Sequence, residues 1–374
     1  MLLTFIAGAL LVTDSPSSVG MSQARLEIAA SLLNGEIERG NLGAGSILVA
    51  RHGKIVLDRG FGRLSSRQGS PGVTKDSVYL LASITKPVTA CALMLLVERG
   101  KVSLDDKVSR YLPEFAGEDR SNVRVRDLLS HTSGLPDMLP ENTELRRANA
   151  PLHRFVAGAF TTPLRYVPGT SFAYQSMGTL LAGAIVEKVA GISLREFERR
   201  EIFEPLGMKS SSLGVGSIPV AGTVQAWVSP ASNPQDTNRF GPNSSYWRDM
   251  GHPWGGMHST TRDLAVLLQT FLNGGVYGNK RVFSSPTVKA MITDQNTQQQ
   301  APWGLGWALR HSKVWNFFGD LLSASAFGHA GATGTVAWAD PETQLLCVVL
   351  TDRLLDEGRL LRLLSNAVAA SIED

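Results

Sequence analysis

The sequence predicts an α/β (α+β) fold in which one antiparallel sheet is built from both ends of the chain. Runs typical of β-strands occur in residues 46–61 and again in residues 304–351. Between them the sequence shows mainly helical periodicity and long polar loops. The simplest arrangement is a sheet flanked by terminal helices, with a mainly helical lobe inserted between its two halves.

The composition is typical of a globular protein with a large core. The 374 residues are 43% hydrophobic and 18% charged, and 36 basic against 33 acidic residues give a net charge of +3. This even balance, with its charges scattered along the chain, argues against nucleic-acid binding. Cys91 and Cys347 both lie in apolar runs, which predicts two buried thiols instead of a disulfide. The sequence contains no cluster of Cys and His residues of the kind that binds a metal, and we expect no cofactor.

The first twenty residues have an ambiguous pattern. Residues 1–12 are apolar, but they are too short to span a membrane and lack a basic leader and a clear cleavage site. The sequence leaves open a vestigial leader, an upstream extension or a disordered tail over 1–20. No other stretch predicts a membrane span. We expect a cytoplasmic protein, or a periplasmic or secreted one if the apolar stretch acts as a signal, and no pattern indicates the oligomeric state.

The predicted sheet domain covers residues 21–75 and 275–374. It begins with an amphipathic helix over 22–39, which Gly40 ends. A hairpin follows, with strands over 46–51 and 54–61 joined at His52-Gly53. Its C-terminal part is predicted to contain strands over 304–309, 333–339 and 344–351 and a last helix over 357–372.

The predicted inserted domain covers residues 76–274. A buried helix begins near Ser83 and ends at Arg99-Gly100. Further helices are predicted over 125–130, 178–190, 194–202 and 264–272. Thr260 caps the last of these in an S/T-x-x-D/E pattern. Residues 216–254 are rich in Ser, Pro, Asn and Gly, which predicts a long loop of the kind that often walls a site.

The stretch Ser83-Ile84-Thr85-Lys86 has the most specific chemistry in the sequence. Residues three apart on a helix share a face, so Lys86 can reach the Ser83 hydroxyl. Serine needs a base to become a good nucleophile, and burial at a helix N-terminus disfavours the charged form of Lys86. The backbone N–H of Ser83 can also receive an oxyanion. By itself such a match is more often an N-cap serine with a solvated lysine, so the hypothesis depends on partners elsewhere.

Tyr174 is the first candidate partner. It precedes a predicted buried helix, and a neighbouring lysine favours the ionised form of a phenol. An ionised Tyr174 beside Lys86 could accept the Ser83 proton and pass it to the leaving group. The alternative is a core or loop tyrosine. His131 we interpret as a loop-fixing residue, because no carboxylate at an obvious spacing would orient it.

The second candidate partner is the stretch from Gly328 to Gly334. Its small residues leave the backbone of a strand edge open to close approach. The N–H of Ala332 is a candidate second oxyanion donor, and His329 a candidate for orienting a substrate oxygen. The alternative is a glycine-rich hairpin with a capping histidine.

The order of three motifs, S-x-x-K at Ser83, Tyr-x-Ser at Tyr174 and His-x-Gly at His329, resembles the active-site serine penicillin-recognising superfamily. That superfamily includes class C β-lactamases, D-alanyl-D-alanine peptidases and family VIII carboxylesterases. The likeness covers roughly residues 25–351 and implies a β-lactamase/transpeptidase-like fold. No G-x-S-x-G elbow is present, which argues against an α/β-hydrolase.

By this resemblance Ser83 is the nucleophile, and Lys86 and Tyr174 form the proton-transfer pair. The third motif, with Gly331 and Ala332, supplies the strand and oxyanion contacts. No role for a metal is implied.

Two residues depart from the β-lactamase pattern. Ser176 stands where β-lactamases carry Asn, whose amide helps to hold the acyl-amide side chain. His329 stands where they carry Lys, whose charge favours the β-lactam carboxylate, and family VIII esterases often carry Trp there. Both changes weaken lactam recognition and leave the acyl-transfer machinery whole.

The sequence therefore predicts a serine carboxylesterase of the family VIII kind that acts on small, short-chain esters, with weak β-lactam hydrolysis as a side activity. Four aromatic residues either line an acyl pocket or belong to the core, namely Tyr166, Trp254, Trp303 and Trp307. Two alternatives stay open. One is a class C-like β-lactamase or D-alanyl-D-alanine peptidase, and the other is a sensor or binding module that is acylated without turnover.

Overall fold

A computed structural model describes residues 8–117 and 119–373 of the chain. Its strands, in chain order, are β1 (Val12–Thr13), β2 (Ala44–Arg51), β3 (Lys54–Gly62), β4 (Tyr79–Leu80), β5 (Ser212–Leu213), β6 (Met257–Ser259), β7 (Val276–Tyr277), β8 (Lys280–Arg281), β9 (Ala308–Leu309), β10 (Phe327–Gly331), β11 (Thr335–Asp340) and β12 (Leu345–Thr351). Its α-helices are α1 (Gln23–Glu38), α2 (Thr85–Glu98), α3 (Val125–Leu129), α4 (Asn142–Arg147), α5 (Leu152–Thr161), α6 (Ser176–Ala190), α7 (Leu194–Glu198), α8 (Glu204–Leu206), α9 (Pro234–Phe240), α10 (Ser245–Asp249), α11 (Thr261–Leu272), α12 (Ser285–Met291) and α13 (Arg359–Ala369).

The main sheet has the strand order β1-β3-β2-β12-β11-β10-β9. Its pairs are antiparallel except for the parallel pair of β1 with β3. β2 pairs with β12 from Gly45 to Arg51, so strands from the two ends of the chain lie side by side in the middle. The predicted antiparallel sheet built from both chain ends is confirmed.

Both faces of this sheet are covered, which explains why its central strands read as continuous apolar runs. Leu48 and Val348 face the core shared with the helical lobe. Their chain neighbours, Val49 and Cys347, face a second core beneath the terminal helices α1 and α13. Alternate residues of one strand thus enter different cores, as the two-residue period of a strand requires.

The helical lobe is organised around α2 and α6, which pack against each other. Every residue of α2 from Thr85 to Leu96 is buried, as its apolar sequence predicts. Both cysteines are buried free thiols, which confirms that prediction. Within the described chain no single helix is long and apolar enough to cross a membrane. The α6–α8 segment passes that test only as a pair of helices bent by 77°.

Two predicted elements differ in the structure. The loop predicted over 216–254 contains the short helices α9 and α10, which are capped by the Asn233 and Ser244 side chains. The strand predicted over 304–309 is reduced to Ala308–Leu309, because Gly306 has a φ of +86° and turns its N–H to the Leu129 carbonyl.

The N-terminal segment reaches the sheet in its described part. Val12 and Thr13 pair with Lys54 and Ile55, and a turn of 3₁₀ helix follows at Pro16–Val19. The part of the tail-or-leader prediction that concerns residues 1–7 lies outside the described residues. The predicted boundaries at 21–75, 76–274 and 275–374 stay predictions.

Candidate active site

Ser83 lies in a single 3₁₀ turn, Ala82–Ile84, that leads directly into α2. Ala82 has a φ of +49°, a left-handed conformation that a residue with a side chain rarely adopts. Strain of this kind persists only where surrounding contacts hold it, and it tends to occur at functional sites. Ser83 itself is only half-buried.

The turn that carries Ser83 is fixed from both sides. On one side the Thr85 hydroxyl donates to the Ala82 carbonyl at 2.7 Å and accepts from the Met257 N–H at 3.0 Å. On the other side Thr333 and Thr335, which flank the turn after β10, donate to the carbonyls of Leu80 and Leu81 at 2.9 and 2.8 Å. The backbone of the nucleophile is therefore clamped to β6 and to the β10–β11 turn.

Gly331 is needed where β10 meets the nucleophile turn. A Cβ at this position would overlap the Leu81 carbonyl oxygen and the Thr335 hydroxyl. Ala332 follows as an exposed turn residue next to this contact. The turn that carries Ser83 and the turn that carries Ala332, the two predicted sources of oxyanion donors, are therefore in direct contact. The roles of Gly331 and Ala332 stay predictions.

Lys86 lies one turn beyond Ser83 and is almost completely buried, with 2% of its surface exposed. Its Nζ donates to Ser83 Oγ at 3.0 Å and to the Trp254 carbonyl at 3.0 Å. Burial lowers the pKa of the Lys86 ammonium to about 7, and the nearby Asp137 carboxylate only partly opposes this shift. The predicted desolvation of Lys86 is confirmed, and near neutral pH a large fraction of this amine is neutral.

Tyr174 lies beside this pair, but its predicted ionisation is wrong. The ring is partly exposed, whereas its hydroxyl oxygen is buried, and burial raises the pKa of Tyr174 well above its ordinary value of 10. The neighbouring Ser83 opposes this rise in pKa, yet the two hydroxyls do not meet in hydrogen-bond geometry. The resting Tyr174 is a phenol, because burial and the nearby Asp137 carboxylate both disfavour its anion.

His131 fixes the loop against Tyr174, as the sequence predicts. Its φ is +63°, its carbonyl accepts from the Ala173 N–H at 3.0 Å, and its Nδ1 accepts from the Gln175 N–H at 3.2 Å. Burial lowers the pKa of His131 well below its ordinary value, so the ring is neutral. Its ring centroid lies 4.6 Å from that of Tyr174, which positions the phenol.

His329 lies behind Tyr174 on β10 and is completely buried. Its Nδ1 is 2.7 Å from the Ala330 carbonyl oxygen, while Nε2 has no partner in the described chain. Burial lowers the pKa of His329 to about 3, so the ring carries no charge at neutral pH. Orientation of a substrate oxygen by His329 stays a prediction.

The four aromatic candidates for an acyl pocket separate into different environments. Trp307 packs on Phe271 and Phe327 in the core. The ring centroid of Trp303 lies 5.9 Å from that of Tyr174. The backbone carbonyl of Trp254 accepts a hydrogen bond from Lys86 Nζ. Tyr166 donates its hydroxyl to the His131 carbonyl at 3.1 Å.

Sequence reasoning missed two residues near Tyr174, namely Asp137 and Trp315. Ser176, at the first position of α6, donates to Asp137 Oδ1 at 2.6 Å, and this places the Asp137 carboxylate next to the Tyr-x-Ser motif. Trp315 lies in the loop between β9 and β10, and its ring centroid is 5.6 Å from that of Tyr174. The only available signal for Asp137 was an acidic residue directly after Gly134-Leu135-Pro136.

Comparison with known proteins identifies the family of this chain. A model of the beta-lactamase family matches residues 29–370. The chain is 30% identical over 393 residues to a protein of Salmonella heidelberg (strain SL476) named "Putative D-alanyl-D-alanine carboxypeptidase", covering 94% of this chain and 89% of that protein.

Two solved structures show the same fold. EstCE1, a hydrolase with promiscuous acyltransferase activity, aligns with a TM-score of 0.76 and 22% identity. A family VIII carboxylesterase aligns with a TM-score of 0.73 and 21% identity. Each alignment covers 93% of this chain and 99% of the other. From the family match over residues 29–370 and the relative aligned over nearly the whole chain, the protein belongs to the beta-lactamase family of serine hydrolases.

Proposed function

We propose that this protein is a serine carboxylesterase, of the family VIII kind, that hydrolyses short-chain esters through an acyl-enzyme on Ser83. The observation that carries the proposal is the contact between Lys86 Nζ and Ser83 Oγ at 3.0 Å, with the pKa of Lys86 lowered to about 7. A general base works best when its pKa lies near the working pH, so neutral Lys86 can take the serine proton.

The acylation step follows from these protonation states. Neutral Lys86 takes the proton from Ser83 Oγ as that oxygen attacks the ester carbonyl carbon. The N–H groups of Ser83 and Ala332 bind the resulting oxyanion. When the intermediate collapses, the carbon–alkoxide bond breaks and the Tyr174 phenol protonates the departing oxygen. The Lys86 ammonium then returns a proton to Tyr174, which leaves the acyl-enzyme with a neutral base.

Deacylation uses the same residues in the reverse direction. Lys86, through or beside Tyr174, takes a proton from water as the water oxygen attacks the acyl carbon. The bond between that carbon and Ser83 Oγ breaks, and the proton returns to the serine. The products are a carboxylic acid and the alcohol released earlier.

Preference for esters over β-lactams is supported by the two departures from the β-lactamase pattern. His329 is neutral and buried, so it offers no cation to a lactam carboxylate. Ser176 is engaged with Asp137 and has no amide to hold an acyl-amide side chain. An ester also needs less leaving-group assistance than an amide.

The test is steady-state hydrolysis of p-nitrophenyl acetate, butyrate and octanoate beside nitrocefin. We expect turnover of the short esters that Ser83→Ala abolishes and little nitrocefin cleavage. Ser66→Ala, which changes an exposed serine of the Leu64–Ser70 loop, serves as the matched control and should keep wild-type rates. Wild-type rates in Ser83→Ala would refute the assignment of the nucleophile. A stable acyl adduct on Ser83 without turnover would instead favour a sensor.

A second candidate is a D-alanyl-D-alanine carboxypeptidase, and the 30% identical relative favours it. The discriminating substrate is diacetyl-L-lysyl-D-alanyl-D-alanine. Release of D-alanine at a kcat/KM above that for p-nitrophenyl butyrate would replace the esterase proposal by this one.

A further inference from the structure

The Asp137 carboxylate lies near Lys86, whose pKa it raises, and the acyl-transfer steps do not use it. It lies in the half-buried end of the loop that begins at His131. The Ser133 hydroxyl donates to Gln175 Oε1 at 2.6 Å, and the Ser176 hydroxyl donates to Asp137 Oδ1 at 2.6 Å. The carboxylate is therefore held at a defined position beside the segment that carries Tyr174.

This carboxylate has no counter-ion within the described chain. Among residues 8–117 and 119–373, the Asp137 carboxylate forms no ion pair within 4.0 Å, and its one hydrogen bond is the one that Oδ1 accepts from Ser176. The cation whose pKa this carboxylate raises is Lys86. The Lys86 nitrogen already donates hydrogen bonds to Ser83 Oγ and to the Trp254 carbonyl. In the active form of the enzyme Lys86 is neutral. A half-buried carboxylate, close enough to Lys86 to raise its pKa, then has no counter-ion among the described residues.

An uncompensated charge in a partly buried cleft favours a ligand of opposite charge, because electrostatic attraction is stronger there than in bulk water. We propose that Asp137 makes this active site selective for esters that carry an ammonium group close to the scissile carbonyl. The inference rests on the esterase function proposed above and specifies its substrate class. The ammonium group can belong to the acyl part, as in an amino-acid ester, or to the alcohol part, as in a choline ester.

The geometry assigns separate tasks to the two carboxylate oxygens. Oδ1 accepts the hydrogen bond from the Ser176 hydroxyl. Oδ2 is left to accept from a substrate N–H or to lie against a quaternary ammonium. Asp137 is thus a specificity residue for the substrate, and the proton transfers remain with Lys86 and Tyr174.

The experiment compares two pairs of esters of nearly equal shape that differ in charge. One pair is alanine benzyl ester, in both stereoisomers, with benzyl 2-methylpropanoate. The other is butyrylcholine with 3,3-dimethylbutyl butyrate. In the wild-type protein we expect kcat/KM, divided by the rate constant for uncatalysed alkaline hydrolysis of the same ester, to be at least about tenfold higher for the cationic member of one pair. The pair that shows this preference identifies the side that carries the ammonium group.

The variant Asp137→Asn removes the charge and keeps an oxygen that can accept from Ser176. It should reduce the cationic-to-neutral ratio of kcat/KM by about tenfold or more, towards unity. Asp76→Asn is the matched control, because it removes an exposed carboxylate from the surface loop beside Lys75, and it should leave the ratio unchanged. The ratio also corrects for any general change in activity.

The outcomes separate this inference from the proposed function. A wild-type ratio near one for both pairs, with Ser83-dependent hydrolysis of the neutral esters, would overturn the role of Asp137 and leave the esterase intact. A preference that persists in Asp137→Asn would do the same. Failure to hydrolyse any of these esters in a Ser83-dependent way would overturn the esterase itself. The wild-type ratio needs no variant, so a poorly folded Asp137→Asn protein would not prevent the test.

Discussion

The Lys86 ammonium lies over the face of the Tyr174 ring, 4.7 Å from the ring centroid, and is not hydrogen-bonded to the phenol oxygen. A cation in this position interacts with the negative face of the ring. Burial moves the pKa values of the two groups apart, because it lowers that of Lys86 to about 7 and raises that of Tyr174 well above its ordinary value. One base and one acid are available at the same pH, which is the condition that both halves of acyl transfer require.

The pH dependence of kcat/KM should follow the amine of Lys86. The active form is neutral, and it exists above the pKa, so kcat/KM for p-nitrophenyl butyrate should rise through about pH 7 and level off above it. Lys86→Arg keeps the charge but cannot lose its proton, and it should reduce kcat by about 10²–10⁴-fold. A profile that is flat from pH 5 to 9 would contradict Lys86 as the base.

Removing the charge of Asp137 should shift that profile. The Asp137 carboxylate raises the pKa of Lys86 against the larger effect of burial, so Asp137→Asn should lower it further. The rising limb of kcat/KM is then expected at lower pH than in wild type. The Asp76→Asn control should leave the limb in place. A shift to higher pH would show that Asp137 does not act on Lys86 through its charge.

Tyr174→Phe tests the phenol as the proton donor. Its hydroxyl has no hydrogen-bond partner in the described chain, and the ring contacts with His131 and Trp303 survive the change, so Tm should hardly move. We expect kcat to fall by about 10²–10⁴-fold for alkyl esters, and by less for p-nitrophenyl esters, whose leaving group needs no acid. Tyr246→Phe, far from Ser83 in sequence and bonded to the Ala150 carbonyl, should keep wild-type kcat. Equal losses for both ester types would argue against acid catalysis by Tyr174.

Thr335→Val tests the clamp between the β10–β11 turn and the nucleophile turn. The change removes the donor to the Leu81 carbonyl, which should cost about 1–3 kcal/mol of unfolding free energy. Displacement of the turn should lower kcat by about 10–100-fold with little change in KM, since small misplacements of reacting groups are costly.

Thr270→Val is the matched control for that clamp. Thr270 is also buried and its hydroxyl donates to a carbonyl, that of Val266, but it lies in α11. It should lose stability without the loss of kcat. If both variants lost activity equally, the clamp would have no specific role.

Glu198 gives a prediction for stability. It is completely buried, its Oε1 is 3.4 Å from the Thr89 hydroxyl, and burial raises its pKa to about 8. Because the folded pKa lies above the unfolded value, its effect on stability is fully favourable below about pH 4.5 and is lost as the pH rises through about 8. Glu198→Gln removes this dependence.

The Tm of Glu198→Gln relative to wild type should therefore increase by a few degrees between pH 5 and pH 9. The variant Glu114→Gln changes an exposed carboxylate and should show no such trend. If the difference in Tm between Glu198→Gln and wild type did not change across this range, ionisation of Glu198 would not lower the free energy of unfolding.

The sequence predicts the elements that depend on local pattern. The apolar helix after Ser83 and the strand runs around Leu48 and Val348 form where their periodicity indicates. α9 and α10 were missed because each is short, although Asn233 before Pro234 and Ser244 before α10 are ordinary N-terminal caps.

The parts of the site that were missed depend on contacts distant in sequence. The protonation of Tyr174 is set by burial, which no neighbouring residue in the sequence reveals. The position of Asp137 is set by a hydrogen bond from Ser176, 39 residues away. An isolated aspartate in a loop has no periodicity from which such a contact can be predicted.

The pairing of β2 with β12 has a consequence for how this chain reaches its native state. The two strands are joined residue by residue from Gly45 to Arg51, although about 300 residues separate them. Contacts of such large sequence separation form slowly, because the entropy of closing a long loop is lost before the contact is made. A ribosome releases β2 long before it has synthesised β12, and during that interval the edge of β2 opposite β3 presents unpaired backbone N–H and C=O groups. Chaperone dependence and aggregation during synthesis should therefore be governed by this edge.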